Sequence, residues 1–313
     1  MKRALVLLCC LVFLCACSRS GASTEAVVSA PPTISQTRHL PKNRTVRVCV
    51  TQMLADSSVM DELRARFEAQ SDYRLDLAVN PNSVAVSVAQ SGNADLLLVQ
   101  SDTTTKQFIA SGYGMSGTEW LHDSLVLAGP ASDPAGVREC KSAAEAMAKI
   151  AGSGATFVSR YDDSDVCKIE TALWSKAGVV IGNGRRWYKA ARLEMVGTLH
   201  LADENKAYLL CEKETFLQNR GSVKLQILLE DAADLRTAYC IVPVSPELSD
   251  RINTDGAAAF AAFLQSAETA AYLASYGTED YGQPVFETAA GKPLTDTAQL
   301  SAVSDTTNNL QEE

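Results

Sequence analysis

Apolar positions along this chain follow two rhythms. Val46-Arg47-Val48-Cys49-Val50 alternates with a period of two, as a half-buried strand does. Asp56, Ser57 and Ser58 then offer helix caps, and Val59, Leu63 and Phe67 recur at helical spacing. Leu75-Asp76-Leu77-Ala78-Val79 predicts a second strand. Asp95-Leu96-Leu97-Leu98-Val99 predicts a third, whose unbroken apolar run suits a buried parallel strand. Between them, Ser83–Gln90 fits either element: Val84 and Val88 suit a helix, while the density of valine suits a strand. Leu125-Val126-Leu127-Ala128 is a further strand, closed by Gly129-Pro130. After that turn the rhythm restarts. Helices are expected over 142–151 and 168–177, and strands over 156–158, 225–229 and 238–244. An Ala-rich helix is expected over 255–275, with Phe260, Phe263 and Leu264 as its apolar stripe.

Repeated strand-then-helix units imply an α/β fold with open, mostly parallel sheets flanked by helices. The patterned region covers about 240 residues, more than one compact sheet domain holds, so two lobes are expected. The flanks read differently. Lys2 and Arg3 precede Ala4–Ala16, which carries no charge and is shorter than the roughly 20 apolar residues a membrane span needs. This matches a secretory signal peptide over 1–16. Leu14-Cys15-Ala16-Cys17 resembles a bacterial lipobox, which implies cleavage before Cys17 and lipidation of its thiol. More than one acyl chain would then anchor the protein on the outer face of the cell membrane or in the periplasm. Ordinary cleavage to a secreted protein is the alternative. Residues 17–43, rich in Ser, Thr, Ala and Pro, read as a tether, and 287–313 as a loose tail.

Composition narrows the classes. The chain has 313 residues and a formal charge of −9, which loss of Lys2 and Arg3 makes more negative. With no basic block, nucleic acid is not an expected partner. Cys49, Cys140, Cys167, Cys211 and Cys240 remain in the patterned region without a CxxC, so neither a zinc site nor a disulfide framework is read from them, although one or two bridges stay open. Cys49 and Cys240 lie in apolar runs and are expected in the core. His39, His122 and His200 are the three histidines. None belongs to a catalytic motif, and no nucleophile elbow or phosphate loop occurs, so no enzyme, cofactor or metal is expected.

A set of short motifs then follows in order: Gly112-Tyr113-Gly114, the stretch 129–136, the stretch Phe157–Ser164, Ala172-Leu173-Trp174, Trp187-Tyr188, Gly197-Thr198-Leu199 and the stretch Tyr281–Phe286. Over about residues 46–286 the chain resembles the tungstate-binding components of bacterial ABC importers. The resemblance implies a type II periplasmic-binding-protein fold, with two α/β lobes joined by two crossing strands and a ligand held between them. The crossings would fall near Leu127–Gly129 and Cys240–Val242. Lobe one would be 46–127 plus 243–286, and lobe two 128–242. The implied function is capture of a small oxyanion such as tungstate or molybdate by a monomer, and its delivery to a membrane permease and, through it, an ATPase.

Helix N-termini, hydroxyls and one guanidinium suffice to bind an anion in an acidic protein. The resemblance brings four segments to the cleft. The first is Thr51 and Gln52, where only Thr51 keeps a hydroxyl. The second is Gln100 and Ser101, followed by the threonines at 103–105; a capped helix start is the competing reading. The third is Ser159, Arg160, a permanent cation after a buried-type strand, and Ser164 at the next helix start, with Arg160 alternatively paired to Asp162 or Asp163. The fourth includes Arg192 and Thr198, where the family's glycines are largely replaced and Glu194 has appeared. Asp165 and Glu194 are the wrong sign for an oxyanion. A changed ligand, zwitterionic or otherwise, in a sensor or interaction module is therefore the alternative reading.

Overall fold

The computed structural model describes residues 43–289 apart from Asn183. The expected signal peptide, Cys17, nearly all of the tether and the chain beyond Ala289 lie outside the described residues. The chain begins with strand β1 (Thr45–Thr51), helices α1 (Gln52–Ala55) and α2 (Val59–Gln70), β2 (Arg74–Asn80), α3 (Asn82–Gln90), β3 (Leu96–Gln100) and α4 (Thr103–Ala110). β1 is flanked by β2 and β3, both parallel to it, with Val48 opposite Leu77 on one side and Leu96 on the other. Side chains alternate across this sheet. Val48, Val50, Leu96 and Leu98 enter one apolar cluster, whereas Cys49, Leu97 and Val99 enter a second on the opposite face. The unbroken run of leucines thus marks a strand covered on both faces. The ambiguous segment is helical: α3 buries Asn82, Ala85, Val86 and Ala89 at helical spacing and leaves Val84 exposed.

The long strand β4 (Thr118–Gly129) comes next. After it follow α5 (Ala143–Ser153), β5 (Phe157–Ser159), α6 (Asp165–Lys176), β6 (Tyr188–Ala190), α7 (Met195–Glu204), β7 (Leu209–Glu212), α8 (Lys213–Asn219), β8 (Gln226–Leu229) and β9 (Arg236–Pro243). Four of these, β6, α7, β7 and α8, have no counterpart in the sequence pattern. The strands β6 and β7 have three and four residues, too few to show periodicity. The chain closes with α9 (Thr254–Leu264), α10 (Ala267–Ser275), α11 (Thr278–Tyr281) and β10 (Glu287–Thr288). The Ala-rich helix expected over 255–275 is two helices, because Ser266 caps the second by accepting from the Thr269 N–H.

β9 runs antiparallel to β3 and joins it to β4. Up to Ser124, β4 pairs with β9; from Leu125 it pairs with β7 and then β8 instead. This strand therefore exchanges its partners at Leu125, two residues before the start of the expected crossing at Leu127. β9 pairs along its whole length with β3 or β4, so the expected crossing at Cys240–Val242 lies within this set of pairings. In lobe two, β5 lies parallel to β6 and bridges to Tyr208 beside β7. Gly129 ends β4 where a Cβ would stand 2.5 Å from the Tyr208 ring, which permits the close approach of these strands. β10 pairs with β4 at His122, so ordered chain extends into the expected tail. The five cysteines of the described region are all free thiols, and Cys49 and Cys240 are buried as expected.

Candidate functional site

Ligand sites in open α/β sheets lie at the C-terminal ends of parallel strands. Here those ends carry Thr51 (β1) and Gln100 (β3) in lobe one, and Ser159 (β5), Ala190 (β6) and Glu212 (β7) in lobe two. A cleft of about 220 Å³ lies between them, lined by Gln52 and Pro81 from lobe one and by Arg160, Asp162, Asp163, Ser164 and Glu194 from lobe two. It adjoins a wider cavity of about 510 Å³ lined by Tyr161, Asp162, Asp163, Cys167, Arg192, Leu193 and Glu194.

Arg160 is the centre of this cleft and is only 5% exposed. Its Nε donates to Asp162 Oδ2, its Nη2 donates to Glu194 Oε2 at 2.8 Å, and its Nη1 lies 4.0 Å from Glu212 Oε1. Burial would lower its pKa, but the three carboxylates outweigh that and raise it. Asp162, one of the two alternatives read from the sequence, is the ion-pair partner within this loop. Burial alone would raise the Asp162 pKa. The bonds from the Ser164 hydroxyl, the Arg160 guanidinium and the Ser164 N–H bring it below the usual range.

The other expected residues divide into three groups. Gln52 and Ser164 line the cleft with Arg160. Gln52 donates to Asp56, and Ser164 caps α6 by accepting from the Cys167 N–H. Arg192 lines the wider cavity with its guanidinium 5.5 Å from the Tyr161 ring centroid; it and Tyr161 both have positive φ, at the ends of β6 and β5. The remainder sit beneath or beside the cleft. Ser159 is buried and accepts from the Tyr161 N–H. Ser101 donates its N–H to Ala238. Thr198 donates its hydroxyl to carbonyls of Leu193 and Glu194 at 3.1 Å, so that donor serves its own helix start. Asp102 caps α4 through Thr105, which is the helix-start reading of the Gln100 segment.

Two contributors, Glu212 and Tyr239, were not foreseen, and Asp165 is placed otherwise than a ligand contact would be. Glu212 is 4% exposed and neither of its carboxylate oxygens has a hydrogen-bond partner in another residue. Burial pushes its pKa up to about 7, against the pull of Arg160. Tyr239 on β9 is fully buried within reach of Thr51 and Gln100, and neither its hydroxyl nor that of Thr51 makes a well-formed hydrogen bond. Asp165 does not face the cleft: both oxygens accept from the Asn82 N–H at 3.3 Å, the first residue of α3 in lobe one, and Oδ1 also accepts from Lys168. The signal available for Glu212 was an acid directly after Tyr208-Leu209-Leu210-Cys211, the strand-end position. That run lies in a stretch where no strand was read.

A family model described as a PBP superfamily domain matches residues 44–268. The chain belongs to the PBP superfamily. Among PBP relatives, the tungstate-binding protein TupA of Peptoclostridium acidaminophilum is 30% identical over 79% of this chain and 87% of its own length. Two solved structures share the two-lobed architecture. The tungstate-binding protein TupA from Desulfovibrio alaskensis G20 matches with a TM-score of 0.72 and 26% identity, over 79% of this chain and all of that one. The tungstate ABC transporter structure from Geobacter sulfurreducens matches with a TM-score of 0.63 and 28% identity, over 74% of this chain and 98% of that one.

Proposed function

We propose that this PBP-superfamily chain is the solute-binding component of an ABC importer, capturing a small oxyanion of the tungstate or molybdate kind between its lobes. The observation that carries this reading is the buried Arg160, whose guanidinium already holds oxygens of Asp162 and Glu194 at the mouth of the cleft. A group that binds carboxylate oxygens through planar N–H pairs binds oxyanion oxygens by the same chemistry. Gln52 across the cleft, with Thr51 and Tyr239 beneath, adds neutral donors that closure of the lobes brings toward the same point. On this reading residues 46–127 plus 243–286 and residues 128–242 act as the two lobes, with the strand exchange at Ser124–Leu125 as one crossing. Cys17 carries the lipid that tethers the monomer outside the cytoplasm, near its permease.

A specific observation also favours a second ligand class. Asp162, Asp163 and Glu194 make the cleft mouth acidic, and the adjoining cavity exceeds what a tetrahedral anion fills. A zwitterion would satisfy both signs. Thermal unfolding and titration calorimetry of the mature chain against tungstate, molybdate, sulfate, phosphate and a set of amino acids test the two readings. A ligand at 100 times its dissociation constant stabilises by about 2.7 kcal/mol. Tungstate or molybdate binding alone supports the first reading, an amino acid alone the second, and no binding by any of them overturns both.

A further inference from the structure

Three carboxylates surround Arg160, and each is held differently. Glu194 has a side chain 86% exposed, so it can swing away from Nη2 into solvent when an anion arrives. Asp162 is fixed in the loop by the Ser164 N–H and hydroxyl as well as by the guanidinium, and its displacement would leave those donors bare. Glu212 is buried at the end of β7, 4.0 Å from Nη1, and no other residue donates to it. It has neither room to leave nor bonds to hold its charge.

With all three ionised, the cluster around the guanidinium is net negative, and a divalent anion could enter only against that charge. Loss of Glu194 alone still leaves Asp162 and Glu212 against one guanidinium, so a second carboxylate must be neutralised. Glu194 leaves by rotation; Glu212 can respond only by taking up a proton. We propose that Glu212 is a positioning residue for the anion proposed above, acting through Arg160: the cleft takes its oxyanion together with one proton from solvent, held on Glu212. This inference rests on the oxyanion reading and adds to it the proton that accompanies the cargo.

The surroundings of Glu212 favour this assignment. Arg160 and Asp162 face it from the loop after β5, and Asp56 from the end of α1 in lobe one. Glu194 meets the same guanidinium from the start of α7. From β4, Asp123 is itself fully buried and pushed up to about 8 by that burial. Cys211 precedes Glu212 on β7, with burial holding its thiol protonated. On α8, Lys213 turns to Glu230 at 3.5 Å, and Glu214 is occupied by Ser57, Gln218 and Tyr276. Among the described residues Arg160 is thus the cation nearest the Glu212 carboxylate, and an anion that engages Arg160 withdraws that support. The burial that already brings the Glu212 pKa to about 7 makes a proton the available replacement.

The test is calorimetric titration of the mature chain with sodium tungstate between pH 6 and 9, in buffer pairs of different ionisation enthalpy. Proton uptake should rise from near zero at pH 6 toward one per anion at pH 8.5, while affinity falls by up to about tenfold per pH unit above pH 7. In Glu212→Gln both the uptake and the pH dependence should vanish, and affinity at pH 8.5 should exceed that of the wild type. Tungstate binding without proton uptake in the wild-type chain overturns the role of Glu212 and leaves the oxyanion reading intact; that measurement does not depend on the variant folding. Persistent uptake in Glu212→Gln overturns it too. Failure to bind tungstate, with molybdate and sulfate silent as well, overturns both.

Discussion

Lobe one brings neutral groups to the cleft: the hydroxyl of Thr51, the amide of Gln52 and the backbone at the start of α3. Lobe two brings charge: Arg160, with Asp162, Glu194 and Glu212 around it. Both rims are C-terminal ends of parallel strands, so the backbone geometry is alike and the side chains make the difference. On the charged rim one guanidinium is shared among three carboxylates, while the neutral rim carries donors without charge. Asp165 links the two, since it extends from lobe two to the first N–H of α3 in lobe one. A carboxylate of the chain thereby occupies a helix start that would otherwise attract an external anion. The contact of these two segments is thus held by a carboxylate of the chain itself.

The largest effect should follow from removing the charged rim. Arg160→Ala is expected to weaken tungstate binding about 100-fold or more, since two charge-assisted bonds of about 1.5 kcal/mol each are lost. It also leaves Glu212 buried beside no cation, which should destabilise the fold by about 3 kcal/mol. Adding Glu212→Gln to that variant should recover most of the melting temperature but none of the affinity. Recovery of binding as well would show that Arg160 serves the fold and not the ligand.

The link between rims comes next. Asp165→Asn should lower stability by about 1–2 kcal/mol, because the bonds from the Asn82 N–H and Lys168 lose their charge. Small-angle scattering without ligand should show a larger radius of gyration than the wild type. An unchanged radius would mean that the lobes meet independently of this contact.

Proton linkage separates the deeply buried acids from those held by hydrogen bonds. Asp123 and Glu212 have pKa values of about 8 and about 7, in both cases raised first by burial. The native state therefore binds protons that the unfolded chain releases, so stability should grow as pH falls from 9 toward 6. Asp133, Asp162 and Asp234 are shifted the other way, below the usual range, and their contribution is lost only under acid conditions. Melting curves across pH 5–9 check the sign; a melting temperature that rises from pH 6 to 9 would contradict the burial of these acids as neutral groups.

Smaller effects are expected from exposed or neutral groups. Glu194→Gln should tighten tungstate binding about fivefold at low salt, since an exposed competing carboxylate of order 1 kcal/mol is removed. Gln52→Ala should weaken it about two- to fivefold, as loss of one neutral donor implies. If Gln52→Ala cost more than Arg160→Ala, the contrast between the rims would be reversed.

Much of the lobe-one sheet was legible because its signals are local. Alternation in 46–50 and the apolar run at 95–99 are period-two statements about neighbours, and the register of β1 with β2 and β3 follows the buried faces they imply. Ser164 before α6 was legible as a helix start for the same reason. Arg160 stood out because a permanent cation followed a buried-type strand. The middle of lobe two was not legible, because β6 and β7 are too short to display a period and draw their stability from β5 and β4, far away in sequence. Thr198 was misleading for a related reason: a threonine in a first helical turn can donate back to its own helix, and sequence does not tell that bond from one to a ligand.

What the sequence alone determined is therefore the kind of elements, the family they resemble, and two candidate cations, Arg160 and Arg192, for a binding reading. Only the tertiary structure decided that β4 changes partners after Ser124, that Asp165 reaches Asn82, and that Glu212 lies buried beside Arg160. Local patterns record what each residue needs from its immediate neighbours. The electrostatic state of a buried acid is set by groups that long-range strand pairing brings within a few ångströms, and no local period encodes that distance.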